Sequence, residues 1–494
     1  MISVHFPVLL VLVPLIAAPV CMFFRRLPGA TWAIATAVSW FCLYVAVSLL
    51  LRVLDSGTIS YLLGNWAAPW GIEYRIDLLN AFVLVIVAAI GAVVTPYARA
   101  SVIREVSPRR IYLFYTMFCL NLAGLLGITV TGDAFNLFVF LEISAFSGYT
   151  LISLGRDRRA LTATYRYVLM GTVGATFYVI AIGMLYMMTG TLNMMDLAAR
   201  IPAVAHTRTI HAALAFLTVG IGLKVAMFPL HMWLPNAYTF APSTVTAFIA
   251  STATKVAVYV LIRMYFTVFA GAEIFELFPV RETLMVLAIA GMFAGSFVAI
   301  FQENCKRLLA YSSVAQIGYM VLGISFATVT GLAGGMIHLF NHALMKCALF
   351  LVMGCIFYRL NSVKIADFAG LAKRMPLTMA AFVVAGLSLI GVPGTVGFVS
   401  KWYLVLAALE KGWWPIAALI VASSLLAVIY IWRVIEVAYF RPVPEGAPEV
   451  AEAPLSLLVP TWIMALASVY FGVDASRTFE VAQAAATLLI GGGK

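Results

Sequence analysis

The chain has 494 residues, 64% of them hydrophobic and only 10% charged, with a mean hydropathy of +1.03. No soluble core needs so much apolar sequence, so the composition excludes a water-soluble enzyme and specifies a protein that crosses a bilayer many times. The net charge of +11 does not indicate nucleic acid, because the basic residues lie in short loops between apolar runs, where membrane orientation accounts for them.

Apolar runs of helix length fall at 4–24, 30–53, 77–98, 110–129, 133–154, 165–189, 210–233, 240–266, 282–301, 308–326, 331–358, 377–406, 414–438 and 456–473. They predict an all-α integral membrane protein with fourteen spans. The first run lacks the basic region and cleavage site of a signal peptide and reads as a span. The tail 474–492 predicts a short surface helix. Even the longest loops, 54–76 and 439–455, are too short for a separate soluble domain. Six cysteines (Cys21, Cys42, Cys119, Cys305, Cys347 and Cys355) lie in or beside apolar runs without a CxxC pair. They read as small buried hydrophobes, with neither a disulfide frame nor a metal site.

Assigning loops alternately to the two sides places eighteen basic residues on one side, from Arg25 and Arg26 through Lys306 to Arg441. Nine fall on the other, among them Arg52, Arg263 and Lys494. The richer side is expected in the cytoplasm, which leaves both termini on the outer, periplasmic face of the cell's inner (plasma) membrane. Four basic residues remain, all within spans: Lys224, Lys255, Lys346 and Lys401. All four are lysine, although twenty-two of the thirty-one basic residues are arginine. An ammonium at mid-membrane costs about 2.5–3.5 kcal/mol on insertion scales. A desolvated lysine can lose its proton, whereas arginine stays charged at any accessible pH. Lysine therefore suits a site that must bind and release a proton.

The fifth span reads Asp-Ala-Phe-Asn-Leu-Phe-Val-Phe-Leu-Glu-Ile-Ser, with Asp133 at its edge and Glu142 at depth. A lone carboxylate there is either a protonated hydrogen-bonder or half of an ion pair. The seventh span supplies the partner, Lys224, in Gly-Leu-Lys-Val-Ala-Met-Phe-Pro-Leu-His-Met-Trp-Leu-Pro. Pro229 and Pro235 follow and break the helix, since each removes a backbone donor and clashes with the preceding turn. A proline kink alone would be a packing feature; the lysine beside it marks a charge-handling site.

The eighth span carries Lys255 among small and hydroxyl residues, well short of Arg263 at its outer end. A snorkelling lysine is the plain alternative. In the eleventh span, His338, His342 and Lys346 are spaced i, i+4 and i+8 and share one helical face. Such a line of titratable groups suits proton conduction through bridging water. A histidine metal or haem site is the competing reading, but no acid or cysteine cluster joins them. A polar core without a relay role is the other. In the twelfth span Gly391, Pro393, Gly394 and Gly397 interrupt the helix, and Lys401 follows. Two broken, lysine-bearing spans five apart predict inverted five-helix repeats over spans 4–8 and 9–13 with discontinuous helices 7 and 12. The expected division is 1–100 for the first three spans, 110–266 and 282–438 for the repeats, and 456–494 for the last span and tail.

These motifs together resemble one family, the antiporter-like subunits of respiratory complex I and of the Mrp (Mnh) multisubunit cation/proton antiporters. The resemblance covers roughly residues 75–440 and rests on Phe-Leu-Glu-Ile-Ser, Lys-Val-Ala-Met-Phe-Pro-Leu-His-Met-Trp-Leu-Pro, Ala-Thr-Lys-Val-Ala-Val-Tyr, His-Leu-Phe-Asn-His-Ala-Leu-Met-Lys and Gly-Val-Pro-Gly-Thr-Val-Gly-Phe-Val-Ser-Lys. It is nearest in pattern to the D-type Mrp antiporter subunit, since Lys401 stands where one complex I subunit carries glutamate. Two positions depart from the family's pattern: Gly394 replaces a usual second proline, and Asn236 a common aspartate. The resemblance implies a hydrated axis parallel to the membrane, with Glu142 and Lys224 as a paired switch. Lys255 with the stripe from His338 to Lys346 would be the bridge, and Lys401 the terminal lysine.

The expected function is that of a proton-translocating subunit of a monovalent cation (Na+)/H+ antiporter, with no cofactor, no metal and no covalent catalysis. Its expected partners are membrane lipids, other subunits of a hetero-oligomeric complex, protons and Na+, and no nucleic acid. The alternatives are a proton-pumping subunit of complex I or of a membrane-bound hydrogenase, a membrane redox enzyme, and a scaffold that has lost transport.

Overall fold

A chain in a bilayer can satisfy its backbone only by helices or closed barrels, and the computed structural model is helical almost throughout. It describes residues 2–270, 274–446 and 449–491; Lys494, counted above on the outer side, lies outside the described residues. The helices are α1 (Phe6–Phe23), α2 (Pro28–Ser56), α3 (Leu78–Glu105), α4 (Ile111–Val130), α5 (Ala134–Ser153), α6 (Arg159–Thr189), α7 (Met194–Val204), α8 (Arg208–Val225), α9 (Leu234–Phe240) and α10 (Ser243–Arg263). They continue with α11 (Ile274–Leu277), α12 (Val280–Ile300), α13 (Cys305–Ser325), α14 (Val329–Leu360), α15 (Leu371–Arg374), α16 (Pro376–Ile390), α17 (Val396–Glu410), α18 (Trp414–Phe440), α19 (Leu455–Val473) and α20 (Ser476–Gly491). Among the described residues thirteen helices are long and apolar enough to cross a membrane. The fourteenth crossing is made in two pieces by α16 and α17.

Spans four to eight (α4, α5, α6, α8 with α9, α10) run straight, straight, straight, broken, straight. Spans nine to thirteen (α12, α13, α14, α16 with α17, α18) repeat that order. An offset of five spans makes the second set run opposite to the first, as an inverted repeat requires. The two sets meet where α10 packs on α14, and α13 and α14 lie side by side at the centre. Helices α13 and α10 are buried except at Arg307 and Ala253 respectively, whereas α1, α2, α6 and α18 expose broad apolar faces. The polar stripes therefore lie in the interior and the lipid-compatible surface outside, as a membrane bundle demands.

Polar side chains fix the ends of the spans. Asp77 and Asn80 form a reciprocal capping box at the start of α3. Asp133, Asn304 and Thr328 accept backbone N–H bonds at the starts of α5, α13 and α14. Glycine permits close crossings: a Cβ at Gly220 of α8 would lie 2.7 Å from the carbonyl oxygen of Gly174 on α6. Such contact between small residues replaces the hydrophobic drive that helices lack in lipid.

Three expectations need correction, while the helical class holds: its departure among the described residues is a short antiparallel hairpin, β1 (Ile59–Leu62) with β2 (Glu73–Ile76), within residues expected as loop. That loop lies beside the start of α3, and edge pairing satisfies its backbone. The tail is more than a surface helix: α20 buries Ala482, Ala485 and Ala486 and packs across α14 and α3. Pro235 does not break a helix. It occupies the first turn of α9, where its missing N–H has no intrahelical partner to lose. Lys306, assigned above to a loop, is only 3% exposed. It lies in the first turn of α13 and donates to the Ala241 carbonyl at 3.2 Å.

Candidate functional site: a buried line of lysines and histidines

Helix α8 ends at Val225, and Ala226 turns into the left-handed region at φ 60°. The break thus begins before Pro229, which lies within it and follows a cis peptide bond. Lys224 sits in the last turn of α8, one helical turn after Gly220. The close α8–α6 crossing thereby places its ammonium within the first repeat. Lys224 Nζ donates to Glu142 Oε1 on α5 at 3.4 Å, with side-chain exposures of 10% and 22%. A tight charge-assisted bond is about 2.7–2.9 Å, so this pair is in contact but loosely held. Trp233, on the far side of the break, donates its indole N–H to the Leu223 carbonyl at 2.9 Å and stacks on Tyr167 at 3.9 Å between ring centres.

A 30 Å³ cavity lies between Lys224 and the next helix, α10. Asn121, Ser144, Tyr167 and Lys224 line one side of it, and Ala253 and Val256 of α10 the other. A space of that size holds a water molecule. Lys255 follows on α10, fully buried, and donates to the Ala250 carbonyl and to Thr254 Oγ1. It does not snorkel: both partners belong to its own helix.

Lys255's helix, α10, packs directly on α14, which carries His338, His342 and Lys346. These three are fully buried on one face of α14. Lys346 Nζ donates to the Leu309 carbonyl at 2.7 Å and to Ser312 Oγ at 2.5 Å, both on α13. The rings of His342 and His338 are stacked 6.3 Å apart. His338 Nδ1 lies 2.8 Å from Ser400 Oγ, while its Nε2 and both ring nitrogens of His342 have no protein partner among the described residues. Buried nitrogens of this kind are ordinarily satisfied by ordered water.

The far end is the second broken span. Gly391 ends α16 in the left-handed region at φ 94°, and Pro393 and Gly394 complete the break before α17. Lys401 reaches back across it and donates to the last carbonyls of α16, Leu389 O at 3.1 Å and Ile390 O at 2.8 Å. A cation at a helix C-terminus is favoured by the aligned peptide dipoles. The Tyr319 ring lies 5.1 Å from Lys401 Nζ and 5.3 Å from the His338 ring, and so links the two. Gly394, at φ 83°, could not be a proline without a change of backbone, because proline holds φ near −65°.

The structure thus brings Glu142 to Lys224, Lys255 to the α14 stripe, and the stripe through Ser400 and Tyr319 to Lys401. Of the side chains against these lysines and histidines, Thr254 and Ser400 adjoin a lysine in sequence and carried a local signal, whereas Ser312 and Tyr319 come from another helix and carried none. Among the described residues no group of three or more His, Cys, Asp or Glu could hold a metal ion.

A family model described as NADH:quinone oxidoreductase/Mrp antiporter, TM, matches residues 131–427. The chain is 43% identical to NADH-quinone oxidoreductase subunit N of Desulforudis audaxviator over 95% of this chain and 96% of that one. It is 29% identical to the D-type Na(+)/H(+) antiporter subunit of Alkalihalophilus pseudofirmus over 96% and 94%. Among solved structures, a chain of the Mrp complex from Dietzia sp. DQ12-45-1b superposes with a TM-score of 0.91 at 25% identity, covering 99% and 98% of the two chains.

Proposed function

The chain belongs to the NADH:quinone oxidoreductase/Mrp antiporter transmembrane family, and from that premise we propose that it is the proton-translocating subunit of a multisubunit membrane complex. Protons move along Glu142, Lys224, Lys255, the face formed by His342, His338 and Lys346, and Lys401. The observation that carries this reading is the Glu142–Lys224 contact at 3.4 Å, placed at a helix break and continued by buried titratable groups to a second break.

Each lysine rests on something its proton controls. Charged Lys224 holds Glu142; once neutral, it releases the carboxylate. Lys255 repels charge on His342 and Lys346, so a proton leaving one site favours its arrival at the next. Unwound backbone at depth is tolerated where it lines a hydrated cavity, and each break here carries a lysine at its edge. In a cation/proton antiporter this movement is exchanged against a monovalent cation such as Na+, in the plasma membrane and with both termini on the outer face. Replacing Glu142 or Lys224 by alanine should abolish exchange in proteoliposomes containing the native complex, with assembly intact on a native gel. Exchange at the unaltered rate in either variant would overturn the proposal.

A second reading, the proton-pumping subunit of a redox-driven complex, is favoured by the 43% identity to a quinone oxidoreductase subunit. Purifying the chain with its partners separates the two: other antiporter subunits support exchange, and iron–sulfur or nickel proteins support a redox pump.

A further inference from the structure

A proton carried to Lys255 needs a path to water, and α10 offers one that the buried line does not use. Lys255, Tyr259 and Arg263 are spaced i, i+4 and i+8, so they share one face of α10. At a rise of 1.5 Å per residue they span about 12 Å from the lysine toward the face that carries both termini. All three are buried, with Arg263 the most exposed at 5%. The Tyr259 hydroxyl donates to the Thr129 carbonyl at 3.0 Å and accepts from Arg263 Nε at 3.3 Å.

Arg263 ends in a fork on Asp77, donating to Oδ2 at 2.7 Å and Oδ1 at 2.8 Å, with a third bond to Thr267 Oγ1 at 3.3 Å. Burial alone would raise the Asp77 carboxyl, but the Arg263 guanidinium and the bonds from Arg263 and Asn80 outweigh it and hold the group below the ordinary carboxylate range. Immediately beyond Arg263 the helix widens into a π turn over Met264–Val268, a distortion that recurs at functional positions. Outside the ion pair lies a 360 Å³ cavity lined by Thr58, Arg75, Asp77, Arg263 and Thr267 and roofed by Leu488 of α20, which is 62% exposed.

Resting on the proton-transfer reading above, the geometry points to Tyr259, Arg263 and Asp77 as an outward proton exit of this chain, with the Asp77–Arg263 ion pair as its gate. A proton leaves the Lys255 ammonium, which becomes neutral, and crosses one helical turn to Tyr259 through a water. The Tyr259 oxygen takes up that proton as its hydroxyl, turning away from the Thr129 carbonyl, passes its own to a second water that delivers a proton to Asp77, so the phenol ends unchanged. Asp77 accepts the proton and loses its charge. Arg263 keeps its own charge throughout and turns from the neutral acid toward Thr267 and the cavity. Asp77 then gives the proton to cavity water and the fork re-forms. A gate of this kind conducts only while a proton passes, because the ionised pair closes it again.

The test uses the native complex in proteoliposomes, with exchange measured per assembled complex. Tyr259→Phe keeps the ring and its packing, and Asp77→Asn keeps the size of the carboxylate; each should slow exchange at least tenfold, whereas Asp77→Glu should retain at least a third of it. A membrane-impermeant maleimide attached to Leu488→Cys should plug the cavity and slow exchange at least tenfold; the six native cysteines are all buried. Wild-type exchange in both Tyr259→Phe and Asp77→Asn, with Glu142→Gln inactive, would overturn the exit and leave the relay standing. Poor assembly of Asp77→Asn combined with normal exchange in Tyr259→Phe would also overturn it, by reducing the ion pair to a structural clip. Normal exchange in Glu142→Gln would instead remove the reading on which the exit rests.

Discussion

In the seventh span the lysine precedes the break, and in the twelfth it follows. Lys224 closes the last turn of α8 and meets a full counter-charge, Glu142, on another helix. Lys401 lies inside α17 and turns back to the carbonyls of Leu389 and Ile390, with dipoles in place of a carboxylate. The bare carbonyl that Lys401 would find at the first break is already taken there by the Trp233 indole. Two breaks that look equivalent in the sequence therefore hold their ammonium groups by different physics. Charge against charge is a coupling that a proton can switch at either partner. Charge against a helix end has only one titrating group, so only the lysine's own proton can switch it.

Several substitutions would break or sharpen that contrast. The largest effect is expected from a double-mutant cycle between Glu142→Gln and Lys224→Met. Removing one partner of a buried pair leaves the other uncompensated, and the coupling should be about 3 kcal/mol in denaturant unfolding of the detergent-solubilised complex. The same cycle between Glu142→Gln and Lys401→Met should show none, and equal couplings would erase the distinction.

Gly391→Ala comes next. Its φ of 94° disfavours any side chain, and a Cβ there would lie 3.1 Å from Lys401 Cδ and 3.3 Å from Nζ. A loss of about 2 kcal/mol is expected, together with slower exchange because the ammonium is displaced from its carbonyls. Trp233→Phe keeps the stack on Tyr167 but leaves the Leu223 carbonyl without its donor, for a loss of about 1–2 kcal/mol and a measurable fall in melting temperature. The smallest effect belongs to Gly394→Ala. Nothing lies within 4 Å of a Cβ at that position, so only the left-handed backbone is penalised, by about 1 kcal/mol, and exchange should persist.

The pattern of burial shows what was legible in the sequence. The spans follow from apolar length, and the two interruptions from glycine and proline, which act on their own helix. The i, i+4, i+8 spacing of His338, His342 and Lys346 likewise puts them on one face wherever the helix packs. Other features resisted. Pro235 looks like a second breaker, yet it begins a helix, because its effect depends on which residue is the first of α9. Lys306 reads as an orienting loop charge, yet it is buried beside Glu105, whose carboxylate accepts from Ser243 N at 2.9 Å and from its hydroxyl at 3.1 Å. None of the three announces the others, since Glu105 ends α3, Ser243 begins α10 and Lys306 lies in the first turn of α13.

Taken alone, the sequence determined the membrane class, the fourteen crossings, the two breaks and the identity of the deep lysines. Each of these depends on hydrophobic length or backbone stereochemistry within about twenty residues. Only the tertiary structure decided which lysine receives a carboxylate and which a helix end, that Tyr319 joins His338 to Lys401, and that Arg263 forks onto Asp77. Those pairings join residues up to 186 positions apart. Hydrogen bonds and ion pairs act over a few ångströms, so they form only after packing has brought the helices together.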